Sequence, residues 1–322
     1  LAGWLTLKRV NQSELVYEGI IVYIGIYFGT MSTYKQPILN IYLDIVYFKL
    51  YIGTMSTDTK SKINKLLNDM PHGAVLLSFW LSEQGYSLDL QKRYKKSGWL
   101  ESIGTGALKR AGDDVDYHGG LYALQNQAGL SVHAGGRTAL SLQGRAHYID
   151  MAAGRTVLLG SKKENLPAWF KNKEWETQID YYTTSFLPAD MGLVDLERNN
   201  FTVKISSPAR AMLECLYLAP KHQEFFECYE LEFFECYELM EGMNDLRPKS
   251  VQELLENCSS IKVKRLFLYL ADKFKHPWLD FVDLSNVDLG SGTRSLVKNG
   301  VYIDKYKITV PKEFEKNEQP EI

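Results

Sequence analysis

Lys92, Arg93, Lys95, Lys96, Lys109 and Arg110 fall between Gly85 and Arg110 against only Asp89 and Glu101. That is a local net charge of +4 in a chain of 322 residues whose formal net charge is −2. Cations gathered in this way suit neutralisation of nucleic-acid phosphates. An overall pI near 6.4 confines any such contact to a local patch. Within the patch, Gln91 and Arg93 carry the amide and guanidinium groups that make bidentate contacts with base edges. Lys92, Lys95 and Lys96 suit phosphates, which position a protein on a duplex without reading it.

The elements around these residues follow from local pattern. Val75 to Gln84 places Leu76, Leu77, Trp80 and Leu81 at helical spacing. Gly85 ends that helix, and Ser87 is positioned to N-cap a second one running through Gln91, Lys92, Arg93, Tyr94, Lys95 and Lys96 to Ser97-Gly98. Trp99 to Ile103 and Ala107 to Arg110 read as two strands about a Gly104-Thr105-Gly106 turn. The succession is that of a winged helix-turn-helix, with the basic helix in the major groove and Lys109 and Arg110 on the wing. The DNA-binding set expected on this reading is Ser87, Gln91, Lys92, Arg93, Tyr94, Lys95, Lys96, Lys109 and Arg110. A merely solvated basic face, or a winged helix that docks onto protein without touching DNA, remains the alternative.

Elsewhere the chain offers little chemistry. It has no GxSxG elbow, no P-loop and no HExxH, and Gly135-Gly136 is not part of a GxGxxG fingerprint. Asp283, Asp288 and Asp304 sit among turn residues, where Asp bonds its own backbone. His276-Pro277-Trp278 reads as a plug at a helix end. Cys215, Cys228, Cys236 and Cys258 lack zinc-ligand spacing and read as thiols in a reducing cytoplasm. No catalytic residue, metal or cofactor is expected. Arg137, Arg145 and His147 can reach a phosphate backbone or serve a compact connector. Leu289 to Lys298, with Gly290 and Gly292, can bind an anion through its backbone, with Arg294 and Lys298 four apart as on a helix, or can be a plain structural turn.

Residues 1–54 differ from the rest. The apolar run Gly19 to Gly29 is shorter than the about 20 residues a membrane-spanning helix needs. Val22 to Thr33 is nearly repeated by Val46 to Thr57. Together with the Ile, Tyr, Phe, Leu, Lys and Asn bias, this suggests read-through of AT-rich non-coding DNA, with Met55 as the natural start.

From Ser56 the pattern becomes that of an ordinary α+β protein. Lys60 to Asp69 is an amphipathic helix built on Ile63, Leu66 and Leu67, and Asp114 to Gln127 contains another with Leu121 and Leu124 inward. Arg155–Gly160, Gln178–Ser185, Phe201–Ile205 and Val301–Val310 read as strands. Ala209–Leu218, Lys249–Glu256 and Val263–Phe274 read as helices, the first opened by Ser206-Ser207-Pro208. Glu224 to Leu231, EFFECYEL, recurs unchanged as Glu232 to Leu239. An eight-residue insertion rotates the downstream part of a helix by roughly 80°, so a duplicated stretch of DNA explains the repeat more simply than function.

The stretches SGWLESIGTGALKR (Ser97–Arg110), GGLYALQNQ (Gly119–Gln127), LSVHAGGRTALSLQGRAHY (Leu130–Tyr148), ISSPARAMLECL (Ile205–Leu216) and HPWLDFVDLSNVDLGSGTRSLVKNGVY (His276–Tyr302) together resemble the AbiEi-type antitoxins. These belong to bacterial type IV toxin–antitoxin and abortive-infection (phage-defence) systems. The resemblance implies an N-terminal winged helix-turn-helix that binds inverted repeats of double-stranded DNA in its own promoter and represses its operon. It also implies a C-terminal domain that neutralises a nucleotidyltransferase-type toxin, with no stable complex required. Residues 1–54 have no counterpart in that family, and the EFFECYEL doubling is an insertion in its pattern. The expected organisation is an upstream extension over 1–54, a winged helix-turn-helix over 55–115, a connector over 116–150, an antitoxin domain over 151–311 and a frayed tail over 312–322. The expected location is the cytoplasm, with no membrane partner.

Overall fold

The computed structural model describes residues 62–145, 154–198, 200–219, 235–297, 300–312 and 314. The extension expected over 1–54, the first EFFECYEL copy, His147, Lys298 and most of the charged tail lie outside the described residues. By backbone contacts the chain divides into a unit ending at Asn68 and one running from Asp69 to Ile322. The described part of the first is most of a helix, α1 (62–69), on which Ile63 and Leu66 are buried as its amphipathic pattern requires.

The second unit opens with a strand, β1 (Leu76–Leu77), then helices α2 (Ser78–Glu83) and α3 (Leu88–Lys96), and a hairpin of β2 (Leu100–Gly104) and β3 (Ala107–Arg110). The helix expected from Val75 therefore starts three residues late. Leu76 and Leu77 pair antiparallel with Leu108 and Ala107, giving a three-stranded sheet in the order β1-β3-β2. Two consecutive leucines fit either a helix face or a buried strand, and a partner about 30 residues away decides between them.

Next come α4 (Tyr117–Asn126), β4 (His133–Ala134), α5 (Gly136–Leu142), β5 (Arg155–Ser161), α6 (Ala168–Asn172), β6 (Gln178–Thr184), β7 (Leu193–Arg198) and β8 (Phe201–Ser206). Asp116 caps α4 by accepting from Gly119 N at 3.0 Å, and Leu121 and Leu124 are fully buried. The strands form one mixed sheet in the order β6-β5-β4-β8-β7, with β5–β6 and β4–β8 parallel and the other pairs antiparallel. The segment expected as a connector thus supplies the central strand.

The remaining elements are α7 (Pro208–Leu218), the helical stretch α8 (235–241), α9 (Pro248–Asn257), α10 (Ile261–Lys273), and a three-stranded sheet of β9 (Arg294–Ser295), β10 (Val301–Ile303) and β11 (Ile308–Val310). Ser207 caps α7 by accepting from Arg210 N, with Pro208 in the first turn and Met212, Leu213 and Leu216 buried. The single strand expected over Val301–Val310 is a hairpin instead. A 3₁₀ turn at Asp304–Tyr306 and the left-handed Lys307 (φ 50°) reverse the chain, so that Val301 faces Val310.

Two apolar cores result. One gathers α7, α8, α9, α10 and β11 around Met212, Phe267, Leu270 and Trp278. In it the second EFFECYEL copy contributes buried Cys236 and Leu239, and Tyr237 lies against Phe274 and Phe314. The other core runs from Val75, Leu77 and Ala107 through Leu121 and Leu124 to Leu158, Phe170 and Ile205, which joins the helix–hairpin segment to the five-stranded sheet. Gln127, at the C-terminal end of α4, ties that helix to β1: its Oε1 accepts from Leu77 N at 2.7 Å and its Nε2 donates to Val75 O at 2.8 Å. The plug expected at His276-Pro277-Trp278 is present. Lys275 (φ 53°) ends α10, His276 N donates to Ala271 O, and His276 Nε2 and Trp278 Nε1 reach the carbonyls of Met240 and Met243.

Candidate nucleic-acid interface

Local chemistry sets both ends of α3. Ser87 Oγ accepts from Leu90 N at 3.4 Å, and Asp89 adds a negative charge in the first turn. At the other end Gly98 adopts φ 72°. Its N–H reaches Lys95 O, and that of Trp99 reaches Tyr94 O at 3.0 Å, which closes the last carbonyls. The helix buries Leu90, Gln91 and Tyr94. Leu88, Asp89, Lys92, Arg93, Lys95 and Lys96 stay exposed.

This rotation of the helix corrects two of the expected contacts. Gln91 is buried, and its Nε2 lies 2.7 Å from Tyr86 O, 2.9 Å from Ser78 O and 3.2 Å from Ser82 Oγ. It staples α3 to α2 and the turn between them and cannot reach a base edge. Tyr94 is 5% exposed, and burial pushes its phenol above the usual range. Its ring is turned into the protein rather than outward. Ser87 serves the helix as its cap. Lys92 Nζ lies 3.3 Å from Asp89 Oδ1, an exposed pair that counts for little in water.

The hairpin is also committed inward. Lys109 Nζ donates to Asp113 O at 2.7 Å and lies 3.1 Å from Glu101 Oε2. Arg110 Nη2 donates to Met70 O at 3.0 Å, and its Nη1 lies 2.6 Å from His72 Nε2. Asp113 accepts from Gly73 N and His72. Although burial alone would raise it, these donors and the Arg110 charge hold its carboxyl below the usual range. The turn itself is docked: Gly106 O accepts from Ser78 N at 2.9 Å. A Cβ at Gly104 would lie 2.8 Å from Trp169 Cβ, so only glycine lets β2 meet α6 this closely. A hairpin held at its tip is not a free arm, which leaves the exposed face of α3 as the basic surface of this segment.

The other expected cations are dispersed. Arg137 Nη1 pairs with Glu235 at 2.8 Å, and Arg145 makes a bidentate pair with Asp245 at 2.6 Å. Arg294 is exposed on β9, its N–H bonded to Lys307 O, so the helical spacing expected with Lys298 does not apply to it. The Gly290 loop does not offer its amide for an anion either. Gly290 N donates to Asp288 Oδ1, while the carbonyls of Leu289, Gly290, Gly292 and Lys307 all accept from the buried guanidinium of Arg265. Arg265 closes this loop from within.

Two further clusters escaped the reading of the sequence. Glu214, fully buried on α7, accepts from Arg210 Nε at 2.7 Å, Ser206 Oγ at 2.7 Å, Gly136 N at 2.9 Å and His133 Nε2 at 3.1 Å. Burial opposes its charge, yet His133, Arg210 and Ser206 outweigh it and hold the carboxyl down to about 2. Arg210 also donates to the carbonyls of Pro188 and Met191. The one sequence signal is the i,i+4 spacing of Arg210 and Glu214, which equally describes an exposed helix pair. Among the described residues one group has ligand atoms close enough for a metal ion: Asp116, His118 and Glu176, within 4.8 Å of one another. The Arg198 guanidinium already supplies the positive charge there, 3.2 Å from His118 Nδ1 and 3.9 Å from Asp116 Oδ2, which disfavours a cation.

The fold is that of an α+β protein whose exposed basic helix sits on a segment sharing its core with a mixed-sheet domain. The chain belongs to the AbiEi family of type IV toxin–antitoxin transcriptional regulators. Residues 59–151 match the AbiEi antitoxin N-terminal domain, and residues 153–311 match the transcriptional regulator AbiEi antitoxin of type IV systems. No curated protein matches the sequence significantly. Among solved structures, the crystal structure of the RV2827C protein from Mycobacterium tuberculosis is similar at 12% identity, with a TM-score of 0.48 over 76% of this chain and 88% of that one. No described helix is long and apolar enough to cross a membrane.

Proposed function

We propose that this chain acts in the cytoplasm as a repressor of its own operon, binding inverted repeats in promoter DNA through α3, and as the antitoxin to a nucleotidyltransferase-type toxin. The observation that carries the DNA-binding part is the outward face of α3. Lys92, Arg93, Lys95 and Lys96 are exposed together on one nine-residue helix, while Leu90, Gln91 and Tyr94 hold its other side in the protein. Helix-turn-helix proteins place such a helix in the major groove, with lysines on phosphates and an arginine on guanine. The succession of β1, α2, α3 and the β2–β3 hairpin supports a winged helix-turn-helix whose hairpin braces the reading helix. Family membership supports the toxin relationship.

Gel-shift titration of the chain against DNA upstream of its gene, with scrambled duplex as competitor, tests the reading. A retarded band that survives the competitor, with affinity falling steeply between low and moderate salt, is the expected outcome. A folded protein that shifts no duplex would move the weight to a winged-helix protein-interaction module.

A further inference from the structure

Leu88 is the first residue of α3 and is 59% exposed. The helix has no use for it inside, because Leu90 and Tyr94 already fill the inner face and Gln91 ties that face to α2. It stands one helical turn before Lys92, on the side that carries Lys92, Lys95 and Lys96. Leu88 is thus a large apolar group at the N-terminal end of a cationic helix face, the end from which recognition helices contact base edges. Its neighbour Asp89 is drawn to Lys92.

We infer that Leu88 is a specificity-determining residue that packs against the 5-methyl group of a thymine in the operator. The inference rests on the proposed major-groove docking of α3. The cations around Leu88 fix what covers this apolar spot, since their charge complements a polyanion. Among the groups that base pairs expose in the major groove, the thymine methyl is the apolar one. The exposed cations of α3 read or hold polar groups, so Leu88 adds discrimination that they cannot supply. Arg93 selects guanine, and Leu88 separates thymine from cytosine and from a thymine stripped of its methyl.

The test uses the full chain and the promoter duplex it retards, with single thymines replaced by deoxyuridine, which removes only the methyl group. At one thymine position or more, the replacement should weaken the wild-type chain about fourfold, the worth of one buried methyl-sized group. The same replacement should change the affinity of the Leu88→Ala chain less than about twofold, and Leu88→Met should restore the sensitivity. Equal sensitivity in wild type and Leu88→Ala, or none at any thymine, would overturn the inference while leaving DNA binding intact. Failure of the wild-type chain to retard any promoter duplex would overturn the docking itself, and is read from the unmodified DNA alone.

Discussion

Gln91 lies on the basic helix α3, yet its side-chain amide donates inward to Tyr86 O at 2.7 Å. Replacing it by Ala leaves that buried carbonyl and the Ser78 carbonyl without this donor. The expected cost is about 1–3 kcal/mol of stability, seen as a lower midpoint in chemical denaturation. Below the transition, the folded variant should keep the wild-type preference among operator sequences in a gel shift. A changed preference at unchanged stability would return Gln91 to the DNA surface.

Arg93 and Lys95 are both exposed and should divide the work differently. Lys95→Ala is expected to weaken binding to operator and scrambled DNA alike and to reduce the salt slope by about one unit. Arg93→Ala should in addition erode the preference for operator, with stability unchanged within about 0.5 kcal/mol in both variants. Titrations at three salt concentrations with both duplexes check this. Equal loss of specificity from the two variants would contradict the division.

The buried Glu214 carboxylate links stability to pH. Its folded pKa of about 2 lies below its ordinary value of 4.5, so below that ordinary value the unfolded chain binds the proton more readily than the native one. The contribution is present in full above about 4.5 and is lost as pH falls from there towards 2, amounting to about 3 kcal/mol. Denaturation midpoints measured across the acid range should show this limb. Glu214→Gln should flatten it and lower stability at neutral pH by about 3–5 kcal/mol, because Arg210 then stays buried without its counter-charge.

The docked hairpin is open to a steric test. Gly104→Val forces side-chain atoms into the space of Trp169 and should cost about 1–3 kcal/mol. Gly106→Ala meets no atom within 4 Å and carries only the penalty of its positive φ of 77°, about 1–2 kcal/mol. If the hairpin braces α3, Gly104→Val should also weaken operator binding at temperatures where the protein remains folded. Urea midpoints together with gel shifts separate the two effects.

The amino-acid sequence alone determined what depends on neighbours within a turn or two. Ser87 caps α3 because its oxygen needs only the N–H three residues on, and Gly98 ends that helix because only a left-handed residue closes it there. Ser207-Pro208 starts α7 for the same local reason, and the paired apolar positions Leu121 and Leu124 go inward by helical period. The tertiary structure decided everything that needs a distant partner. Whether Leu76-Leu77 is helix or strand rests on Leu108 and Ala107. Whether Arg110 points outward or into the chain rests on Met70 and His72, 40 and 38 residues away. The Glu214 knot needs His133, 81 residues distant, brought alongside by the pairing of β4 with β8. Charge and hydropathy mark which side chains can bind a phosphate or fill a core. Only long-range packing, by setting the rotation of α3 and the seat of the hairpin, determines which of them remain outside to do so.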